Sequence, residues 1–254
     1  MDGSTVEGSQ GAGVRWPAAH HERRRPHGAS GVIYSLEHSL DHVQASDDYD
    51  AVQLSFSDDD TVNFYNPELE DQARAPEFIE YIGDLDRLAR TDFPYTDSGL
   101  LLMSPKLLLT TLEAGAFPYV LFPTRIYSPQ AVDEDVPEEQ RWALTDPAVV
   151  ATQFVIVQLR QWTNVIDLER TIVTQYDARA KRRVEVASTA SRDPESIRAD
   201  QVTHLALSVD EQDLPGLLRF ENMPGLYAPQ QTKEACRAGG LRGVAFEPVP
   251  VPRG

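Results

Sequence analysis

The sequence predicts an α+β fold: a mixed sheet with several short helices, containing a duplicated strand–helix–strand module. Three observations carry that prediction. One pattern occurs twice, at residues 101–115 with 119–123 and again at 225–239 with 243–248. Several apolar runs have strand length, some alternating and one continuous. And 41 % of the 254 residues are hydrophobic, enough for a core under both kinds of element.

The repeated module has a simple physical reading. A shift of 124 positions carries Pro105 to Pro229, Ala114 to Ala238, Gly115 to Gly239, Val120 to Val244 and Phe122 to Phe246. Proline fits the first helical turn, where its missing N–H would have no partner, and glycine suits the left-handed residue just past a helix end. Ser104 supplies an N-cap hydroxyl in the first copy. Each copy therefore reads as a short strand, a helix of about three turns and a second strand. In the first helix Leu108, Leu109 and Leu112 are expected on the buried side. The second helix carries Gln230, Gln231, Lys233, Glu234 and Arg237, so one of its faces is expected to stay wet.

The remaining elements follow in chain order. Residues 1–31 are rich in Gly, Ser, Pro, His and Arg and hold the triplet Arg23, Arg24 and Arg25. They offer too little apolar surface to offset the entropy of ordering, and are expected to be a disordered tail or upstream sequence from an early start codon. The folded part should begin near Val32 and run as one domain over 32–254, with a division into lobes at 32–147 and 148–254 left open. Residues 32–36 and 51–56 are expected strands. From Pro76, the spacing of Phe78, Ile79, Ile82, Leu85 and Leu88 predicts an amphipathic helix. Residues 129–146 are acidic and contain proline, which predicts a surface loop or short helix. Residues 149–159 give the strongest strand signal, and the continuous run from Phe154 to Val157 predicts burial on both faces. Residues 162–177 read as strand and turn, 184–198 fit no single pattern, and 202–207 read as a strand. Pro215 and Gly216 mark a turn.

Charge narrows the function classes. Forty acidic residues against 23 basic ones give a formal charge of −17, which argues against DNA, RNA or an anionic membrane as a direct partner. No run of about 18 apolar residues is present to span a bilayer. The single cysteine, Cys236, cannot form an internal disulfide, which suits a reducing compartment, and a cytoplasmic location is expected.

A direct search for chemistry finds little. His38 and His42 have the i, i+4 spacing of a helical metal pair, but Ser39 stands where a metalloprotease needs glutamate, so surface histidines are the simpler reading. His204 lies alone in an apolar run and reads as a hydrogen-bonded core residue. Cys236 takes the helix position equivalent to Leu112 and reads as a small buried apolar group rather than a nucleophile. Asp58, Asp59 and Asp60 lack the spacing and turn glycine of a calcium loop. No catalytic residue, metal site or cofactor is therefore expected.

Several motifs carry a family resemblance. Asp92-Phe93-Pro94, Gly99-Leu100-Leu101-Leu102-Met103-Ser104 and Phe122-Pro123-Thr124-Arg125-Ile126-Tyr127 resemble the core of a widespread bacterial family. Residues 154–159, 165–170, 218–220, 225–227 and 241–248 are similar to it as well. This is the family of immunity proteins from polymorphic toxin systems, formerly catalogued as a domain of unknown function. The resemblance spans residues 92–249, more weakly 32–90, and its motifs are structural. An aromatic residue usually fills the place of Leu168, so the leucine puts local packing or partner choice in question.

The resemblance implies a non-enzymatic protein, encoded beside a toxin delivered between competing bacteria, that protects its producer by binding the toxin and covering its active site. It implies no catalytic residues. The acidic segment suits that role: between Asp41 and Asp86 there are fourteen acidic residues and one basic residue, Arg74. A solvated acidic surface is the plain reading. The sharper one is a decoy for the basic cleft of a nuclease toxin, with Asp47, Asp48, Tyr49, Asp50, Asp58, Asp59 and Asp60 as contact residues. The competing expectations are a small detoxifying enzyme and a docking partner of a secretion apparatus. Stoichiometric protection against one toxin separates the first from both.

Overall fold

The computed structural model of the chain describes residues 32–39, 49–54, 77–133, 135–191 and 196–249. In order these form β1 (Ile33–His38), β2 (Ala51–Gln53), β3 (Ile79–Gly83), α1 (Leu85–Leu88), β4 (Leu102–Met103), α2 (Pro105–Ala114) and β5 (Tyr119–Tyr127). Then come α3 (Glu138–Trp142), β6 (Val150–Ala151), β7 (Val155–Leu159), β8 (Ile172–Asp177) and β9 (Arg182–Ala187). The chain closes with β10 (Val202–His204), β11 (Tyr227–Pro229), α4 (Gln230–Ala238) and β12 (Val244–Pro248). The fold is α+β. The expected tail, residues 1–31, lies outside the described residues.

Both copies of the repeated module fold as strand, helix, strand, and they share a deeper likeness. In the first, β4 and β5 are not neighbours: β7 lies between them, antiparallel to both. In the second, β1 lies between β11 and β12, again antiparallel to both. Ile156 on β7 stands opposite Leu102 and Phe122. Leu36 on β1 stands opposite Phe246 and donates its N–H to the Leu226 carbonyl at 2.8 Å. The shift of 124 carries Leu102 to Leu226 and Phe122 to Phe246, so sequence repeat and hydrogen-bond register agree residue for residue. Only the source of the middle strand differs. It follows the first module in the chain and precedes the second.

The division into lobes at 32–147 and 148–254 does not hold. β5 and β7 pair across that boundary, and β1 completes the sheet formed at the other end of the chain. The modules meet through their helices, α2 against α4. Leu107 and Leu108 of α2 share one core with Cys236 of α4, Leu36, Met103 and Leu226. Between the helices passes Gly216, whose N–H donates to the Gly115 carbonyl at 2.8 Å and whose carbonyl accepts from the Thr232 hydroxyl at 2.8 Å. A Cβ on Gly216 would lie 1.9 Å from the Thr111 carbonyl oxygen, so only glycine lets the turn through.

Several local expectations are corrected. Residues 79–83 are strand, not helix: Ile79 and Tyr81 are fully buried between β2 and β5, and only one helical turn, α1, follows, capped by Asp84. Leu109 is 58 % exposed, and the buried stripe of α2 is Leu107, Leu108 and Thr111, with Leu112 half-buried. Ser104 caps α2 as expected, accepting from the Leu107 N–H at 3.1 Å. Pro105 opens α2, whereas Pro229 ends β11, and the first amide of α4 donates to Glu211 at 2.6 Å instead. Neither module glycine is left-handed. Gly115 is extended and is needed for its closeness to Leu214 and Gly216, while Gly240 takes φ +60.

The strand signal over 149–159 is present as β6 and β7, two segments on the same side of β5. The Thr124 hydroxyl donates to the Phe154 carbonyl at 2.8 Å across the break between them. Ile156 and Val157 point into different cores and are both buried, as the continuous apolar run predicts. The acidic, proline-containing segment is a loop with a short helix, α3. The strand read at 202–207 stops at His204, which is half-buried. Leu168 is part-buried against the core that holds Ile166, Val173 and Val202.

Candidate functional site

The expected contact surface divides on inspection. Asp47, Asp48, Asp58, Asp59 and Asp60 lie outside the described residues, as does His42. Tyr49 is 39 % exposed and rests on Tyr95 at 4.8 Å between ring centroids. Tyr95 in turn tilts against His38 at 5.3 Å, and His38 stacks on Phe93 at 4.0 Å. Among the described residues Tyr49 is thus the exposed end of a supported aromatic stack, and in sequence it lies inside the first acidic run. A ring held this way loses little freedom on meeting a partner.

Asp50 is a correction. It is fully buried, and its carboxylate is consumed internally. One oxygen takes an ion pair from Arg87 at 3.1 Å, and the other accepts the Tyr95 N–H at 2.9 Å. Its backbone N–H donates to the Tyr95 carbonyl at 2.8 Å. A buried carboxylate bound on both oxygens cannot also contact a partner, so Asp50 builds the platform under Tyr49 rather than the surface itself. His38 is likewise not on a helix. It ends β1, with Nδ1 3.1 Å from the Phe93 carbonyl, and burial lowers its pKa from the ordinary 6.5.

Two further buried carboxylates escaped sequence reasoning. Glu80, on β3, accepts the Tyr127 hydroxyl at 2.6 Å and the Trp142 indole N–H at 3.2 Å on one oxygen. Its other oxygen takes Arg141 Nε at 3.2 Å and the ion pair to the same guanidinium. Burial, then the bond to Glu80, pushes the Tyr127 phenol well above its usual range. Asp92 accepts the Ser104 hydroxyl at 2.8 Å and the Arg242 N–H at 2.9 Å, tying the cap of α2 to the loop before β12. For Glu80 the sequence signal was a lone acid inside an apolar run, and for Asp92 its place in the motif Asp92-Phe93-Pro94; neither says where the donors come from.

The chemistry these groups can perform is limited by how completely they are engaged. Cys236 is buried, and burial followed by Asp92 pushes its thiol up to about 11, far from a reactive thiolate. Among the described residues no group of three or more His, Cys, Asp or Glu is placed to hold a metal ion. No helix among them is long and apolar enough to cross a membrane. A groove of about 450 Å³ lies beside β8 and β9, lined by Tyr176, Arg183, Ile197 and Arg198 among others. No protein-family model matches the chain, and the comparison with curated proteins gives no match either.

Proposed function

We propose that this chain is a non-enzymatic immunity protein that acts in the cytoplasm and neutralises a cognate toxin by direct, tight binding. The observation that carries the reading is the supported ring of Tyr49, held on Tyr95 next to the buried Asp50, within the first acidic run of the sequence. An aromatic anchor beside carboxylates is the composition that captures a basic cleft: the ring supplies buried area, and the acids supply speed and orientation. The resemblance over residues 92–249 points to the same role. With Asp50 withdrawn, the proposed contact residues are Asp47, Asp48, Tyr49, Asp58, Asp59 and Asp60.

Calorimetry against the product of the adjacent gene tests the reading. Nanomolar 1:1 binding that weakens at high salt is the expected result. Replacing Asp58, Asp59 and Asp60 together by lysine should slow association about tenfold or more while leaving the circular dichroism spectrum unchanged. Absence of binding rules that toxin out as partner, and an unchanged association rate in the triple variant removes the acidic contact from the reading.

A further inference from the structure

The chain is strongly acidic, yet residues 176–183 hold four cations: Arg179, Lys181, Arg182 and Arg183. All four are exposed. They are gathered at one place because β8 and β9 form a tight hairpin, with Asp177 opposite Arg182 and Tyr176 opposite Arg183. The Asp177 carboxylate closes the turn by accepting the Arg179 N–H at 2.8 Å and the Ala180 N–H at 3.2 Å. Val173 and Val186 face the core from the same hairpin, which leaves Tyr176 and Arg183 on the solvent side, Tyr176 at 54 % exposure. The groove of about 450 Å³ adjoins this face. Arg198, ion-paired with Asp200 at an exposed position, stands on its far wall, and Val173 and Ile197 contribute its apolar lining. Among the described residues β9 is the last strand of its sheet.

We propose that the outer edge of this hairpin docks an acidic, extended protein segment. The segment adds to the edge of β9 through main-chain hydrogen bonds, and its alternating side chains set carboxylates against Arg183 on one face of the hairpin, beside Tyr176 as the aromatic anchor, and against Arg182 on the other. A peptide fits better than a nucleic acid. The cations are interleaved with Asp177, Glu185 and Asp200 and sit on a body of charge −17. A long polyphosphate meets that whole field, whereas a short segment feels chiefly the cations within about 8 Å, one screening length. The surface lies on a different sheet from Tyr49 and is independent of the toxin reading. A purely defensive role, in which cations keep a sheet edge from self-pairing, is the contrary case.

Nuclear magnetic resonance on the full, nitrogen-15-labelled chain decides it, with a capped decapeptide of alternating glutamate and threonine as probe. Saturable shifts are expected at the amides of residues 182–187, with affinity falling about threefold between 50 and 300 mM salt. Arg182→Glu with Arg183→Glu, both at exposed positions, should weaken binding roughly tenfold or more. No saturable shift on β9, equal shifts from the matching lysine–threonine peptide, or full binding by the double variant overturns the proposal and leaves the defensive role. Tighter binding of single-stranded decathymidine at the same amides overturns it in favour of phosphodiesters.

Discussion

Asp50, Glu80 and Asp92 each carry negative charge into the interior, and each is matched there by donors from distant parts of the chain. At these positions the acidic surplus is architecture rather than surface. His38 is their counterpart, a group kept neutral by burial. Its pKa is lowered on folding, so the unfolded chain binds the extra proton more readily. Its contribution to stability is therefore complete above the ordinary value of 6.5 and is lost as pH falls below it toward the folded value. The Phe93 carbonyl, then Asp50 and Glu37, act against this but are outweighed by burial. The urea midpoint should drop between pH 7.5 and pH 5.5, and His38→Phe should make that drop smaller. An equal drop in both proteins would mean that other groups carry the pH dependence.

At the scale of elements, the segment 129–146 acts as a strap across the end of the central sheet. Its hold is specific: Arg141 and Trp142 of α3 reach Glu80, and the Leu144 carbonyl accepts from Arg125 at 2.6 Å. Arg125 also lies over the Phe78 ring at 5.0 Å, and Val132 and Leu144 pack with Tyr127 beneath the strap. Removing Arg141 leaves Glu80 buried without its cation, so Arg141→Ala should destabilise by about 3 kcal/mol. Amides of residues 136–145 should exchange first, a result that hydrogen exchange by mass spectrometry would reveal. If exchange rises evenly over the whole chain instead, the strap is not a separate unit. The sequence showed the strap's acidity and its prolines but not its anchor, because Glu80 sat in what read as a helix. Ile79, Ile82 and Leu85 satisfy a helical period by spacing alone, and pairing with β2 and β5 overrode it.

For the whole molecule, the two modules are the same three-stranded unit reached by different routes through the chain. The ends of the described core lie side by side, with the Val249 N–H donating to the Ile33 carbonyl at 2.9 Å. Linking 249 to 32 through a short glycine–serine bridge, and opening the exposed turn between Arg179 and Ala180, would give the second module the first one's order. That permuted chain should fold with stability within about 2 kcal/mol of the parent, measured by urea unfolding, because no buried backbone hydrogen bond is cut. A permuted chain lacking cooperative unfolding would show that β1 must be made first.

What local chemistry alone settled is now plain in particular residues. The cap and proline start of α2 at Ser104 and Pro105, the doubled pattern at a spacing of 124 and the two-faced burial of residues 154–157 were all readable along the chain, because each is carried by residue types and their order. Tertiary structure alone decided that Leu109 faces out, that Asp50 is spent beneath Tyr49 and that the cations of the β8–β9 hairpin border a groove. It also decided that β1 belongs to the distant module. These are matters of which partner arrives from tens of residues away, as Arg87 and Tyr95 do for Asp50, or from the far end of the chain, as β11 and β12 do for β1. Burial and hydrogen bonding reward that arrival only after the chain has closed on itself.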